Sequence, residues 1–176
     1  MANTHNVISS QVLSSASSSV VFSSIPQTYT DLVLRITARS TTSATNLDWF
    51  HVTINSNTGG YYSWVRILGN GASGSANRQD STTPTSGSYF GYLQGDGTTA
   101  NSFSSIEMYF ADYANSSYDK PIQIFSQTTN AASTTSYTSQ HSNLFIQSTA
   151  ISSLSITTQT TFASGSTFVL YGIKNS

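Results

Sequence analysis

The 176-residue chain contains no cysteine. Disulfide frameworks and thiolate-held metal sites are therefore excluded, and the fold must be held by packing and hydrogen bonding. Charge is almost as scarce. Asp, Glu, Lys and Arg make up 7% of the chain, against about 25% in an ordinary soluble domain. Six basic and seven acidic residues leave a net charge of −1. No basic stripe exists to neutralise phosphates, which disfavours nucleic-acid binding, and no nucleic-acid partner is expected. No apolar run approaches the roughly 18 residues of a membrane-spanning helix, so no membrane partner is expected. Residues 1–6, Met-Ala-Asn-Thr-His-Asn, carry neither a basic n-region nor an apolar h-region. They read as a short N-terminal arm and not as a secretory signal.

What replaces charge is small and polar. The chain has 35 Ser and 25 Thr. Ser competes for helical backbone bonds and Thr favours strands, so a helical bundle is disfavoured. Intrinsic disorder is equally disfavoured, because ten Tyr, nine Phe and two Trp supply the material of a packed interior. A chain of this length buries roughly 70% of the surface its unfolded form exposes. Without any break in composition, residues 1–176 read as one domain.

Period-two alternation recurs from end to end. Asp31 to Arg39 places Leu32, Leu34, Ile36 and Ala38 on one face, the pattern of a half-buried antiparallel strand. Further strands are predicted at Val7–Leu13, Val20–Ile25, Leu47–Ile54, Tyr61–Leu68, Tyr89–Gln94, Phe103–Tyr113, Ile122–Thr128, Asn143–Ser148, Ile151–Thr158 and Thr167–Ile173. About ten short strands separated by turn signals predict an all-β fold, a single antiparallel β-sandwich of jelly-roll type. The linker Asn55-Ser56-Asn57-Thr58-Gly59-Gly60 predicts a hairpin between its flanking strands, since Asn and Gly tolerate positive φ. The Gly/Ser/Thr-rich segment 69–88 predicts a long exposed loop, and 128–140 reads as another.

Few constellations point to catalysis. Gly69-Asn70-Gly71-Ala72-Ser73-Gly74 matches G-x-G-x-x-G in letters. The motif binds dinucleotides only between a strand and a helix, and the residues that follow make a poor helix. A hairpin loop is expected there and no cofactor. The three histidines, His5, His51 and His141, have many serines for neighbours, but no G-x-S-x-G elbow presents a nucleophile. His51 is expected on the outer or interface face of its strand, with Trp49 and opposite Phe50, Val52 and Ile54. The acids Asp31, Asp48, Asp80, Asp96, Glu107, Asp112 and Asp119 are scattered singly. They offer neither metal-ligand spacing nor a glycosidase pair. Asp112 and Asp119 bracket one loop, where a solvated turn is favoured over a Ca²⁺ site. The chain is therefore expected to be non-enzymatic, with no catalytic residue and no bound metal.

Aromatics are denser than a core alone requires at Trp49, Tyr61, Tyr62, Trp64, Tyr89 and Tyr92, with Phe90 among them. Rings beside Asn and Gln suit stacking on a sugar. Rings in charge-poor surroundings suit a subunit interface, where Tyr and Trp are enriched. The near-absence of charge on the strands favours the interface.

Two stretches carry a family resemblance. One runs Ser19-Val20-Val21-Phe22-Ser23-Ser24-Ile25-Pro26-Gln27-Thr28-Tyr29-Thr30-Asp31-Leu32-Val33-Leu34-Arg35 and on to Ala38-Arg39-Ser40. The other comprises Ile151-Ser152-Ser153-Leu154-Ser155-Ile156 and Phe162-Ala163-Ser164-Gly165-Ser166-Thr167-Phe168-Val169-Leu170-Tyr171-Gly172-Ile173. With Ile54-Asn55 and Thr58-Gly59-Gly60-Tyr61-Tyr62 between them, the chain resembles small virion structural proteins of tailed bacteriophages, decorating the capsid or associated with the tail. The resemblance implies a rigid all-β oligomer without catalytic residues. It further implies a place on the virion: a homotrimeric capsid decoration (cement) protein bound to the major capsid protein, or alternatively a tail module binding host-surface glycan. Within it, Gly165-Ser166 resembles a tight turn, and Gly172 stands where a side chain would clash. The self-contained length favours decoration over a fibre tip.

Overall fold

The computed structural model describes residues 4–42, 47–82, 90–130 and 135–174, with the backbone alone at 81, 82, 130 and 135. Among these, twelve strands are present: β1 (His5–Val12), β2 (Ser17–Phe22), β3 (Asp31–Ala38), β4 (Leu47–Ile54), β5 (Tyr62–Gly69), β6 (Gly74–Thr82), β7 (Gly91–Gln94), β8 (Ser104–Phe110), β9 (Lys120–Asn130), β10 (Thr135–Phe145), β11 (Leu154–Phe162) and β12 (Thr167–Ile173). They form an eight-stranded sheet, β1-β12-β3-β8-β9-β10-β5-β6, and a four-stranded sheet, β2-β11-β4-β7. Every pairing is antiparallel. The fold is an all-β sandwich, as the alternation predicted.

Almost every connection changes sheets. The chain stays within a sheet only at the β5–β6 hairpin and along the β8–β9–β10 meander. β1, β12, β3 and β8 connect in the chain to β2, β11, β4 and β7 in the same order across the two sheets, which is jelly-roll winding, and β9, β10, β5 and β6 extend the large sheet beyond β8 at one edge. Alternation does the folding work. Leu32, Leu34, Ile36, Ile106, Met108, Phe110, Phe168 and Leu170 point inward from the large sheet, and Val20, Phe22, Phe50, Val52, Ile54, Leu154 and Ile156 meet them from the small one. Each large side chain so enclosed contributes roughly 1.5–3 kcal/mol.

The structure corrects three local expectations. Residues 74–82 of the supposed 69–88 loop form the edge strand β6, registered on β5 from Gly69↔Gly74 to Tyr62↔Thr82. Its sequence has no apolar face, so hydrophobic periodicity could not reveal it. For the same reason hydrophobic periodicity does not reveal the strands in much of 128–140. Thr and Ser there continue β9 and β10, paired from Thr135↔Asn130 to Phe145↔Lys120, because β-branched Thr suits extended backbone and the inward positions are polar, Thr128 and Ser139 being buried. Third, β4 and β5 are no hairpin, for they lie in different sheets. Asn55 and Ser56 adopt positive φ, 52° and 57°, and the segment turns a corner between layers. Its anchor is the Asn55 side chain, which donates to Ala150 O (2.7 Å) and accepts from Ser152 N (2.8 Å) and Ser153 N (3.1 Å).

The G-x-G-x-x-G match is the β5–β6 turn. Asn70 N donates to Ser73 O (3.1 Å), and Asn70 Oδ1 accepts from Ala72 N and Ser73 N (3.0 and 2.8 Å). Gly71 supplies the positive φ of 82°. These amides close a turn and cradle no phosphate.

Candidate functional site

β7 stands where the two sheets meet. It pairs with β4, and its other side is bound by hydroxyls of the large sheet. Tyr92 N donates to Ser126 Oγ (3.4 Å), Gln94 N to Ser104 Oγ (2.6 Å) and Gln94 Nε2 to Thr129 O (2.6 Å). Ser126 Oγ and Ser139 Oγ lie 2.6 Å apart, and His141 Nε2 is 3.1 Å from Ser139 Oγ. Ser126, Ser139 and His141 are all buried. They therefore bind β7 as a polar seam and present no nucleophile to a substrate.

Three of the six predicted aromatics come together here, Trp49, Trp64 and Tyr92. Trp49 on β4 and Tyr92 on β7 stack with centroids 4.0 Å apart. Across from them, β5 contributes Trp64 and, two residues on, Arg66 on the same face. The Arg66 guanidinium lies over Trp49, Trp64 and Tyr92 at 5.1, 5.4 and 5.5 Å from the ring centroids. It donates to Tyr92 OH (2.8 Å) and to Asn77 Oδ1 on β6 (2.9 Å). Cation–π contact offsets the desolvation of its buried Nε, which has no partner. The rings thus embrace a cation of the chain itself. Trp64 and Tyr92 are 6% and 5% exposed, which leaves them little ring face for a sugar. The alternation Trp64-x-Arg66 was the sequence signal for this cage.

The remaining predicted aromatics separate. Tyr62 is in the core, its hydroxyl accepting from Ile54 N and donating to Asn57 O, each at 3.0 Å. Burial pushes its phenol up to about 12. Tyr61 is exposed, with its ring against Gly59. Tyr89 lies outside the described residues. His51 lies on the face of β4 opposite the core residues Phe50, Val52 and Ile54, as the alternation predicts, and is covered there.

The acids make closed local sets. Asp31 accepts from Tyr109 OH (2.7 Å) and Asp112 N (2.8 Å). Asp112 in turn accepts from Tyr118 OH and from Asn115 Nδ2 (3.2 Å). Burial, then the Asp31 hydrogen bond, pushes the Tyr109 phenol up to about 12. Lys120 is buried against the Tyr118 ring and donates to Tyr118 O, and burial lowers its pKa. The 112–119 loop is thus fastened by a phenol and an amine. Asp48, 1% exposed, accepts from Thr42 and Thr158 hydroxyls (2.7 and 2.5 Å) and Trp49 N. Arg39 gathers the 95–102 loop, donating to Thr99 O (2.6 Å) and Asp96 Oδ1 (2.8 Å). Among the described residues no three His, Asp or Glu side chains come together as a metal site.

The surface offers something the sequence reading passed over. On the outer face of the large sheet Val65, Ile67 and Phe125 are 52%, 61% and 51% exposed. They occupy neighbouring cross-strand positions, with Phe125 opposite Gln140 and Gln140 opposite Ile67. Gln123, Ser142 and Ala76 fill the places around them. This is a partly apolar face over four adjacent strands, bounded by Glu107 opposite Phe125 and Arg78 opposite Val65, and in a monomer such a face usually marks contact with another protein.

Compared with known proteins, the chain matches no family model and no curated protein. Among solved structures, the alginate lyase Aly36B aligns over 95% of this chain and 80% of its own, at 13% identity and a TM-score of 0.31. A likeness that weak bears on neither activity nor substrate.

Proposed function

We propose that the chain is a non-enzymatic structural protein of a bacteriophage virion, and within it a capsid decoration protein that binds the major capsid protein and stabilises the shell. One observation carries the reading: the outer face of the large sheet presents Val65, Ile67 and Phe125 half exposed, with Gln123, Gln140, Ser142 and Ala76 around them and charge only at its two sides, Glu107 beside Phe125 and Arg78 beside Val65. Such a face is built for protein contact, because association there desolvates few charges. The sequence resemblance supplies the virion. The closed bonding of Asp31, Asp112, Asp48 and the Ser126–Ser139–His141 seam supports a role without chemistry. The cation held among Trp49, Trp64 and Tyr92 weighs against the alternative, a tail module stacking host glycan on those rings.

Purified chain mixed with phage heads lacking it should co-sediment with them and raise the temperature at which they rupture, since a ligand of the assembled shell stabilises it by linkage. A glycan array run in parallel should remain blank. Failure to bind heads, together with saturable binding to a glycan, would replace decoration by the tail reading.

A further inference from the structure

The outer sheet face is self-complementary in one way only. Two rows of residues cross β8, β9, β10, β5 and β6 in register. One reads Glu107, Phe125, Gln140, Ile67, Ala76, and the other Tyr109, Gln123, Ser142, Val65, Arg78. Neighbouring strands are about 4.8 Å apart, so the acid and the base stand near opposite ends of a face roughly 19 Å wide, with the apolar residues between them. β10 is the middle strand.

We propose that this face binds a second copy of the chain, about a twofold axis running along β10. That axis reverses the strand order, so Phe125 meets Ile67 of the partner subunit and Ile67 meets Phe125 of the partner subunit. It also sets Glu107 beside Arg78 of the partner subunit, twice. Glu107 already pairs with Arg35 at 2.9 Å, both side chains more than half exposed, and the incoming guanidinium would complete a network at the rim. The other twofold compatible with face-to-face packing runs across the strands. It would bring each row against the other on the same strand, so that Glu107 approaches Glu107 of the partner subunit and Arg78 approaches Arg78 of the partner subunit. Like charges brought together suppress that arrangement. Sheets stacked about 10 Å apart with strands nearly aligned are a common packing. The inference rests on the reading of this face as a protein-contact surface. It specifies the partner, and a twofold in place of the homotrimer implied by the resemblance.

Because the chain has no cysteine, introduced thiols report contacts without background. Gln140→Cys chains treated with a short bismaleimide should give covalent dimers, since position 140 lies beside the axis. Phe125→Cys mixed with Ile67→Cys should cross-link, whereas each alone should do so far less. In sedimentation velocity the full chain should be a dimer, and Ile67→Glu should weaken association by roughly tenfold or more, while its melting temperature at dilutions where both chains are monomeric should match that of the unaltered chain, because position 67 is exposed in the monomer. A trimer, a monomer at every concentration, or Phe125→Cys cross-linking to itself as well as it does to Ile67→Cys would each overturn the proposal. Head binding is scored separately: a chain that dimerises this way but ignores phage heads refutes the virion reading and leaves this contact standing.

Discussion

A methyl group added at Gly172 would lie 2.4 Å from two ring atoms of Tyr29. A real Cβ does not come that close, so Gly172→Ala must displace the ring or the β12 backbone. A loss of about 1–3 kcal/mol is expected, the ordinary range for overpacking, read as a lowered urea midpoint. Gly69→Ala is the control, for nothing lies within 4 Å of its added Cβ. The clash at Gly172 and the turn at Gly165, where φ is 86°, both agree with what the sequence motif implied. A second residue-scale expectation concerns alkali. The Tyr62 phenol stands at about 12 in the fold, against 10.0 for the free group. A folded value above the unfolded one means that its contribution is complete below pH 10.0 and is lost as pH rises toward 12. Stability should therefore fall across that interval, and Tyr62→Phe should make the fall shallower in denaturation curves taken at successive pH values. An unchanged slope would remove Tyr62 as the cause.

At the scale of elements, two devices hold strands to one another across the sheets. Asn55 turns the corner from β4 to β5 by bonding three backbone groups of residues 150–153. Asn55→Gly keeps the positive φ and loses the bonds, whereas Asn55→Ala loses both. The expected costs are about 1–3 kcal/mol for the first and about 1 kcal/mol more for the second, compared by thermal unfolding. The Arg66 cage ties β5 and β6 to β4 and β7. Its rings include both tryptophans of the chain, so intrinsic fluorescence reports this junction alone. Arg66→Ala should shift the emission of the folded protein and cost about 2–4 kcal/mol, from lost cation–π contact and two hydrogen bonds. An unshifted spectrum would mean that the guanidinium does not lie on the rings.

The strands with an apolar face, such as β3, β4, β8 and β12, were legible in the sequence because burial imposes period two on them. β6, residues 129–130 of β9 and residues 135–142 of β10 are not, since β6 is an edge strand with no apolar face and the buried positions of β10 there are polar, Ser139 and His141. The corner at Asn55 is not legible because positive φ serves a hairpin and an interlayer turn equally well. What separates them is whether β4 and β5 share a sheet, which local sequence does not encode. Of the candidate site, the rings were visible but their occupant was not. Trp64 and Arg66 share a strand face, yet only the sheet order brings Trp49 and Tyr92 over to them.

For the whole molecule, the scarcity of charge divides into two physical roles. Inside, Ser104, Ser126 and Ser139 replace charge by short hydroxyls that bind β7 to the large sheet. Outside, Gln123, Gln140 and Ser142 surround Val65, Ile67 and Phe125 with groups that are cheap to desolvate. A sheet so finished favours assembly over solvation, which supports a structural place in a particle. Cryo-EM of the virion that carries this chain tests that claim most directly. The expected result is density for the sandwich on the outer surface of the head, against the major capsid protein, with the Val65–Ile67–Phe125 face covered by a second copy of the chain. Density confined to the tail, or that face open to solvent in every copy, would contradict it.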